Sequence, residues 1–238
     1  MNTKETRVLI AAPLKQDVGI FREYQESLDR LIVPDGVTVD RFFVVNDCDE
    51  VIPEIRGDYT VINTGDVYEK QINDHTWTRD NLDKMPLLRN ACIQRVLDGG
   101  YDYLFSIDTD LVLQPETLVT LLDADKDIVS EIFWTNGWCN AWMYDQSRGM
   151  LEEWQTPGLY RCGMTGALTL HKAEVFRAGA NYSRIPNLSL WGEDRWFCIR
   201  AACLGFEFWV DSHFPATHLY TEAEYQTFMR NKEARRNA

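Results

Sequence analysis

The chain has 238 residues, 45% of them hydrophobic, and 37 acidic side chains against 24 basic ones leave a formal net charge of −13. That length favours one large α/β core over two small domains, and the acidic balance excludes nucleic acid as a principal partner, because phosphate contacts need clustered Lys and Arg. No apolar run approaches the roughly 20 residues of a membrane span, so no integral membrane segment is expected.

In chain order, Arg7–Ala12 is a near-continuous apolar strand ended by Pro13, the pattern of a parallel strand covered on both faces. Residues 19–32 place Ile20, Tyr24, Leu28 and Leu31 at helical spacing. A second strand spans Val37–Val45 and ends at Asn46-Asp47-Cys48-Asp49, and a third covers Tyr59–Ile62. Residues 83–98 form a helix with Leu87, Leu88, Ala91, Val96 and Leu97 inward, stopped by Gly99-Gly100. Strand, helix, strand, helix, strand is the β-α-β rhythm of a nucleotide-binding α/β half.

The apolar run 101–107 then delivers Asp108-Thr109-Asp110, followed by Leu111-Val-Leu113. Two carboxylates one residue apart at the carboxyl edge of a buried strand stand where open α/β sheets bind ligands. Their oxygens suit a hard divalent cation that bridges to phosphate. Beyond Asp110 the rhythm loosens. A helix from Pro115 to Leu122 and a strand from Asp127 to Phe133 precede residues 134–162, which are rich in Trp, Asn, Gly and Tyr, with a hairpin expected around Asp145–Gly149. Gly163-Met-Thr-Gly166 reads as a tight turn before a strand. Trp191-Gly-Glu193-Asp194 is an acidic turn opening a helix stopped by Gly205; a short strand and a loop bearing His218 follow. The polar stretch 222–238 reads as a surface helix that frays.

The Asp-Thr-Asp strand, together with Glu193, Asp194, Phe197, Cys198, Arg200, Ala201, Gly205 and His218 in that order, resembles the nucleotide-sugar glycosyltransferases of GT-A fold, especially inverting family 2. The resemblance covers most of residues 7–218. It implies a single domain with a Rossmann-like nucleotide-binding half over about 7–113, built on a central mostly parallel sheet, and a mixed acceptor-binding half over 114–221. It further implies a UDP- or GDP-sugar as donor and a saccharide or other hydroxyl compound as acceptor, with one sugar transferred at a time. Asp110, Asp108 and His218 are implied as ligands of Mn²⁺ (or Mg²⁺), the mixed oxygen and nitrogen set favouring Mn²⁺. Asp194 is the implied general base, with Glu193 orienting the acceptor or stabilising the helix start. Arg89 is implied to face the nucleotide, Pro13 to line the base pocket, and Trp191 to touch the acceptor.

Several readings stay open at this point. Asp47 is either a ligand of the nucleotide base or a turn residue. The six cysteines contain no C-x-x-C pair, which reads as buried free thiols in a cytoplasmic protein, with a Cys139–Cys162 disulfide as the alternative. A retaining transferase on the same fold, a nucleotidyltransferase and a catalytically silent sugar- or nucleotide-binding protein are the competing functions.

Overall fold

A computed structural model describes residues 5–65, 79–144, 152–189 and 192–236. In chain order the elements are β1 (Thr6–Leu14), α1 (Val18–Asp29), β2 (Val37–Val45), β3 (Asp58–Val61), α2 (Arg79–Gly99), β4 (Tyr103–Ser106), β5 (Leu111–Val112), α3 (Thr117–Asp123), β6 (Ile128–Thr135), β7 (Trp138–Cys139), β8 (Ala141–Trp142), β9 (Leu159–Cys162), β10 (Met164–Thr165), β11 (Thr169–Lys172), α4 (Ala173–Arg177), α5 (Glu193–Cys203), β12 (Phe208–His218) and α6 (Glu222–Arg236). The hairpin expected around Asp145–Gly149 lies outside the described residues.

Alternation along β1 explains why its sequence is continuously apolar. Val8, Ile10, Ala12 and Leu14 join one core cluster, on the side of α1 and α3. Leu9 and Ala11 join the other, with residues of α2, α4 and α5. From Val8 onward both faces of the strand are therefore covered by helices, which leaves no position there for a polar side chain. Helix α1 starts where Asp17 accepts a hydrogen bond from the Gly19 N–H at 2.8 Å, a side-chain cap for an otherwise unsatisfied donor.

Among the described residues the main sheet runs β3-β2-β1-β4-β11-β6-β12-β5, with β7 beside β6 and β9 beside β12. Strands β3, β2, β1 and β4 are mutually parallel, as expected for the first half. The sheet as a whole is mixed, because β11 enters antiparallel between β4 and β6. Both core clusters draw residues from either side of position 114.

Three expectations are corrected. Leu87 of α2, expected to face inward, is 56% exposed. Pro13 does not end β1, which continues to Leu14 in parallel register with Val45. His218 lies not in a loop but at the end of β12, which runs for 11 residues. That length depends on a bulge: Asp211 pairs with Glu131 and Ala216 with Phe133, so four residues of β12 face one of β6. A bulge re-aims the strand beyond it. No described helix is long and apolar enough to cross a membrane. All six cysteines are free, five of them buried and Cys203 exposed, so the Cys139–Cys162 disulfide is not formed.

Candidate active site

Strands β1, β2 and β3 end in register at Leu14, Val45 and Val61, and the chain leaves β4 at Ser106, opposite Ala11, to carry Asp108, Thr109 and Asp110 over the sheet rim. The Leu111 N–H donates to the Asp108 carbonyl at 3.3 Å, closing a turn. Strand β5 then pairs antiparallel with the end of β12, Leu111 opposite His218, and the Leu219 N–H donates to the Asp110 carbonyl at 2.8 Å. This short ladder brings two residues more than 100 positions apart side by side: His218 Nε2 lies 3.3 Å from Asp110 Oδ2.

The other ring nitrogen, His218 Nδ1, is 2.7 Å from the Thr135 hydroxyl at the end of β6. An outer partner of this kind fixes ring orientation and tautomer, leaving Nε2 to face the carboxylate. Burial opposes a charge on His218, but Asp110, followed by Asp108 and Glu224, outweighs it and holds the imidazole above its ordinary pKa. Asp108 turns elsewhere, its Oδ1 accepting from Arg89 Nη2 at 3.1 Å. Among the described residues no group of three or more His, Cys, Asp or Glu is spaced to hold a metal ion; Asp110 and His218 are the pair brought together.

Helix α5 begins at the same rim with Glu193 and Asp194. Arg89, on α2 and only 5% exposed, ties the clusters together: Nε donates to Glu193 at 3.3 Å, Nη1 meets Ser106 Oγ at 3.4 Å and Nη2 reaches Asp108. Burial works against its charge, but Asp108, Asp194 and Glu193 keep the guanidinium firmly protonated. Asp194 has the opposite problem. Burial first, then the Glu193 charge, push its carboxyl up to about 8, although Arg89 pulls the other way.

These groups open onto one cavity of about 910 Å³, lined among others by Arg89, Asp108, Asp110, Glu193, Asp194 and His218. The expected residues therefore converge, with exceptions. Pro13 and Asp47 do not line this cavity. Asp47 adopts φ 47°, and its Oδ2 accepts from the Thr64 N–H and the Thr64 hydroxyl, each at 3.1 Å, binding the end of β2 to the segment after β3 as a turn residue does. Trp191 lies outside the described residues. Two other histidines stand elsewhere: His213 pairs with Asp211 at 3.0 Å, and His171 is buried against Phe176 and Phe197.

Thr135 and Asn140 are site residues that sequence reading did not single out. The buried Asn140 carboxamide donates to Ser130 Oγ, the Glu131 carbonyl and the Ala167 carbonyl at 2.9–3.0 Å, and accepts from the Phe133 N–H. It thereby fixes β6 against the segment that carries Gly166. A Cβ built on Gly166 would stand 3.3 Å from Asp194 Oδ2, so the glycine makes room for the carboxylate. Neither role has a motif, because each depends on neighbours remote in sequence.

No protein-family model and no curated protein sequence matches the chain. Its fold, however, is that of solved structures. The chain is similar to S. aureus TarS 1-349, with a TM-score of 0.54, 11% identity, and coverage of 88% of this chain and 60% of that one. It is likewise similar to GalNAc-T7, solved with UDP, GalNAc and Mn²⁺, with a TM-score of 0.58, 12% identity, and coverage of 93% of this chain and 45% of that one. The chain thus spans less than two thirds of either structure. The fold is GT-A.

Proposed function

We propose that this protein is a metal-dependent glycosyltransferase that moves one sugar from a UDP- or GDP-sugar to an acceptor hydroxyl with inversion. The observation that carries this reading is the convergence of Asp110, His218 and the Asp194 carboxyl, from three separate stretches of chain, on one cavity at the sheet rim. GalNAc-T7, similar in fold, was solved with a UDP nucleotide and Mn²⁺, which supports the same ligand classes here. The stretch 7–113 would bind the nucleotide, and 114–221 would shape the acceptor side.

Asp110 Oδ2 and His218 Nε2, 3.3 Å apart, offer one oxygen and one nitrogen. That pair would hold Mn²⁺, or Mg²⁺ less well. A cation held there would neutralise charge on the departing diphosphate. Asp194 accepts the proton of the acceptor hydroxyl as its oxygen bonds to the anomeric carbon and the bond from that carbon to the diphosphate breaks. A carboxyl pushed upward is a stronger base once ionised, which suits the task. Glu193 and Asp108 are held in place by Arg89, whose nitrogens face protein acceptors. Arg89 thus acts as the central counter-charge, with contact to the nucleotide secondary. The free thiols fit a cytoplasmic location.

Calorimetric titration of UDP and GDP, each with and without Mn²⁺, tests the proposal. Binding of one nucleotide that requires Mn²⁺ and is lost in Asp110→Ala is the expected result. Failure of folded wild-type protein to bind either nucleotide with metal present would overturn it.

A further inference from the structure

The cavity has an aromatic wall that the chemistry above does not use. Of the tryptophans among the described residues, Trp154 and Trp196 are fully buried in the core, Trp134 packs against it, and Trp209 lies under Lys126 at 4.4 Å. Trp138 and Trp142 line the cavity; Trp138 is 42% exposed, and Trp142 also packs against the core.

Trp138 is held by a rigid device. Strands β6 and β7 are joined by Asn136-Gly137, with φ 50° and 81°. Positive values at both central residues define the tight hairpin turn that Asn-Gly favours. Thr135 and Trp138 are directly opposed across that hairpin, so they share one face. Thr135 is the residue that orients His218. The same two-residue turn therefore presents a hydroxyl to the His218 ring and an indole to the cavity. Trp142 approaches from β8: the point where a Cβ on Gly166 would stand is 3.5 Å from Trp142 Cζ3 and 3.3 Å from Asp194 Oδ2. Aromatic surface and proton acceptor meet over a residue with no side chain.

We propose that Trp138 and Trp142 form a platform for the apolar face of a neutral saccharide acceptor, one of whose hydroxyls is presented to Asp194. This rests on the reading of Asp194 as general base. A pyranose has what the site asks for: a C–H face that packs flat on indole, and hydroxyls at its edge within reach of a carboxylate. Charge sets the second half of the assignment. Asp108, Asp110, Glu193 and Asp194 line the cavity against two arginines, Arg89 and Arg195, and Arg89 is already held by Glu193 and Asp108. That surplus of carboxylates disfavours an acceptor that itself carries carboxylate or phosphate. The Asn136 side chain at the cavity wall offers neutral donors and an acceptor suited to sugar hydroxyls.

Saturation-transfer NMR with methyl glycosides of neutral hexopyranoses, in the absence of nucleotide, tests the platform. Wild-type protein transfers saturation to the glycoside C–H protons, and Trp138→Ala weakens binding roughly three- to tenfold while Trp138→Phe restores most of it. Trp209→Phe serves as the control for an indole away from the cavity and leaves binding unchanged. Equal binding by wild type and Trp138→Ala would overturn the proposal, as would saturation only of uronic acid glycosides or of Ser/Thr peptides. The nucleotide titration is independent: Mn²⁺-dependent binding of UDP or GDP without glycoside binding removes the platform and leaves the donor reading, and glycoside binding with neither nucleotide bound removes the donor reading alone.

Discussion

Arg89 holds the site together through single contacts. Its side chain is 5% exposed and Glu193's 7%, so removing the cation leaves a buried carboxylate without its partner. Breaking such a pair costs about 3–5 kcal/mol. Arg89→Met should lower stability on that scale in urea melts, whereas Arg89→Lys, which keeps charge but loses the fork, should lose less stability and still lose activity. Asp194 makes a different prediction. Only its ionised form takes a proton, and its pKa is raised by burial and then by Glu193, so activity must rise with pH through a limb above the ordinary carboxylate range. A bound cation draws that limb below the value of about 8 in the metal-free protein. The kcat/KM profile against pH reads it directly. Asp194→Asn should abolish transfer while retaining nucleotide binding; an active Asn variant would remove Asp194 as the base.

Among the elements, the β6–β12 pair sets the site's geometry. The bulge between Asp211 and Ala216 determines where His218 arrives, and a buried acid sits at its base: Glu131 is fully buried opposite Asp211. Burial, then the Asp211 charge, raise its pKa to about 9. The folded state holds a proton that the unfolded chain releases in the ordinary carboxylate range, so this contribution is complete below that range and is lost as pH rises toward about 9. Glu131→Gln, which cannot ionise, should remove that decline, and its stability relative to wild type should grow between pH 6 and pH 9 in denaturant melts. A constant difference across that window would rule out a folded-state proton on Glu131. Helix α6 matters less. It buries no residue fully; Tyr225 and Phe228 pack against the small cluster of Ile20, Val112 and Leu219, and Lys232 donates to Glu23 and Glu26 of α1.

At the scale of the molecule, the balance of −13 means that an anionic donor depends on local cations and metal. Ligand binding should therefore appear as coupled stabilisation. A nucleotide at about 100 times its Kd adds about 2.7 kcal/mol, a rise in Tm of roughly 5–10 °C for a chain of this size. Mn²⁺ together with whichever of UDP and GDP binds should produce that shift, the same nucleotide with chelator should not, and His218→Ala should reduce it.

Much of this was open to sequence reading, because hydrophobic period and turn chemistry are local. Val37–Val45 was read with its observed limits; the apolar β1 followed from cover on both faces; and the acid pair opening α5 stands where the Trp-Gly-Glu-Asp turn put it. Pairing across the sheet was beyond the same signals. Nothing local reveals that β11 enters antiparallel between β4 and β6, that a bulge extends β12 as far as His218, or that Arg89 spends its nitrogens on Glu193, Ser106 and Asp108 instead of facing outward. The chain's own pattern determined which residues carry charge, turn and core. Long-range register decided which of them meet, since a contact across 100 residues is set by the packing of whole strands and leaves no periodic trace in either partner.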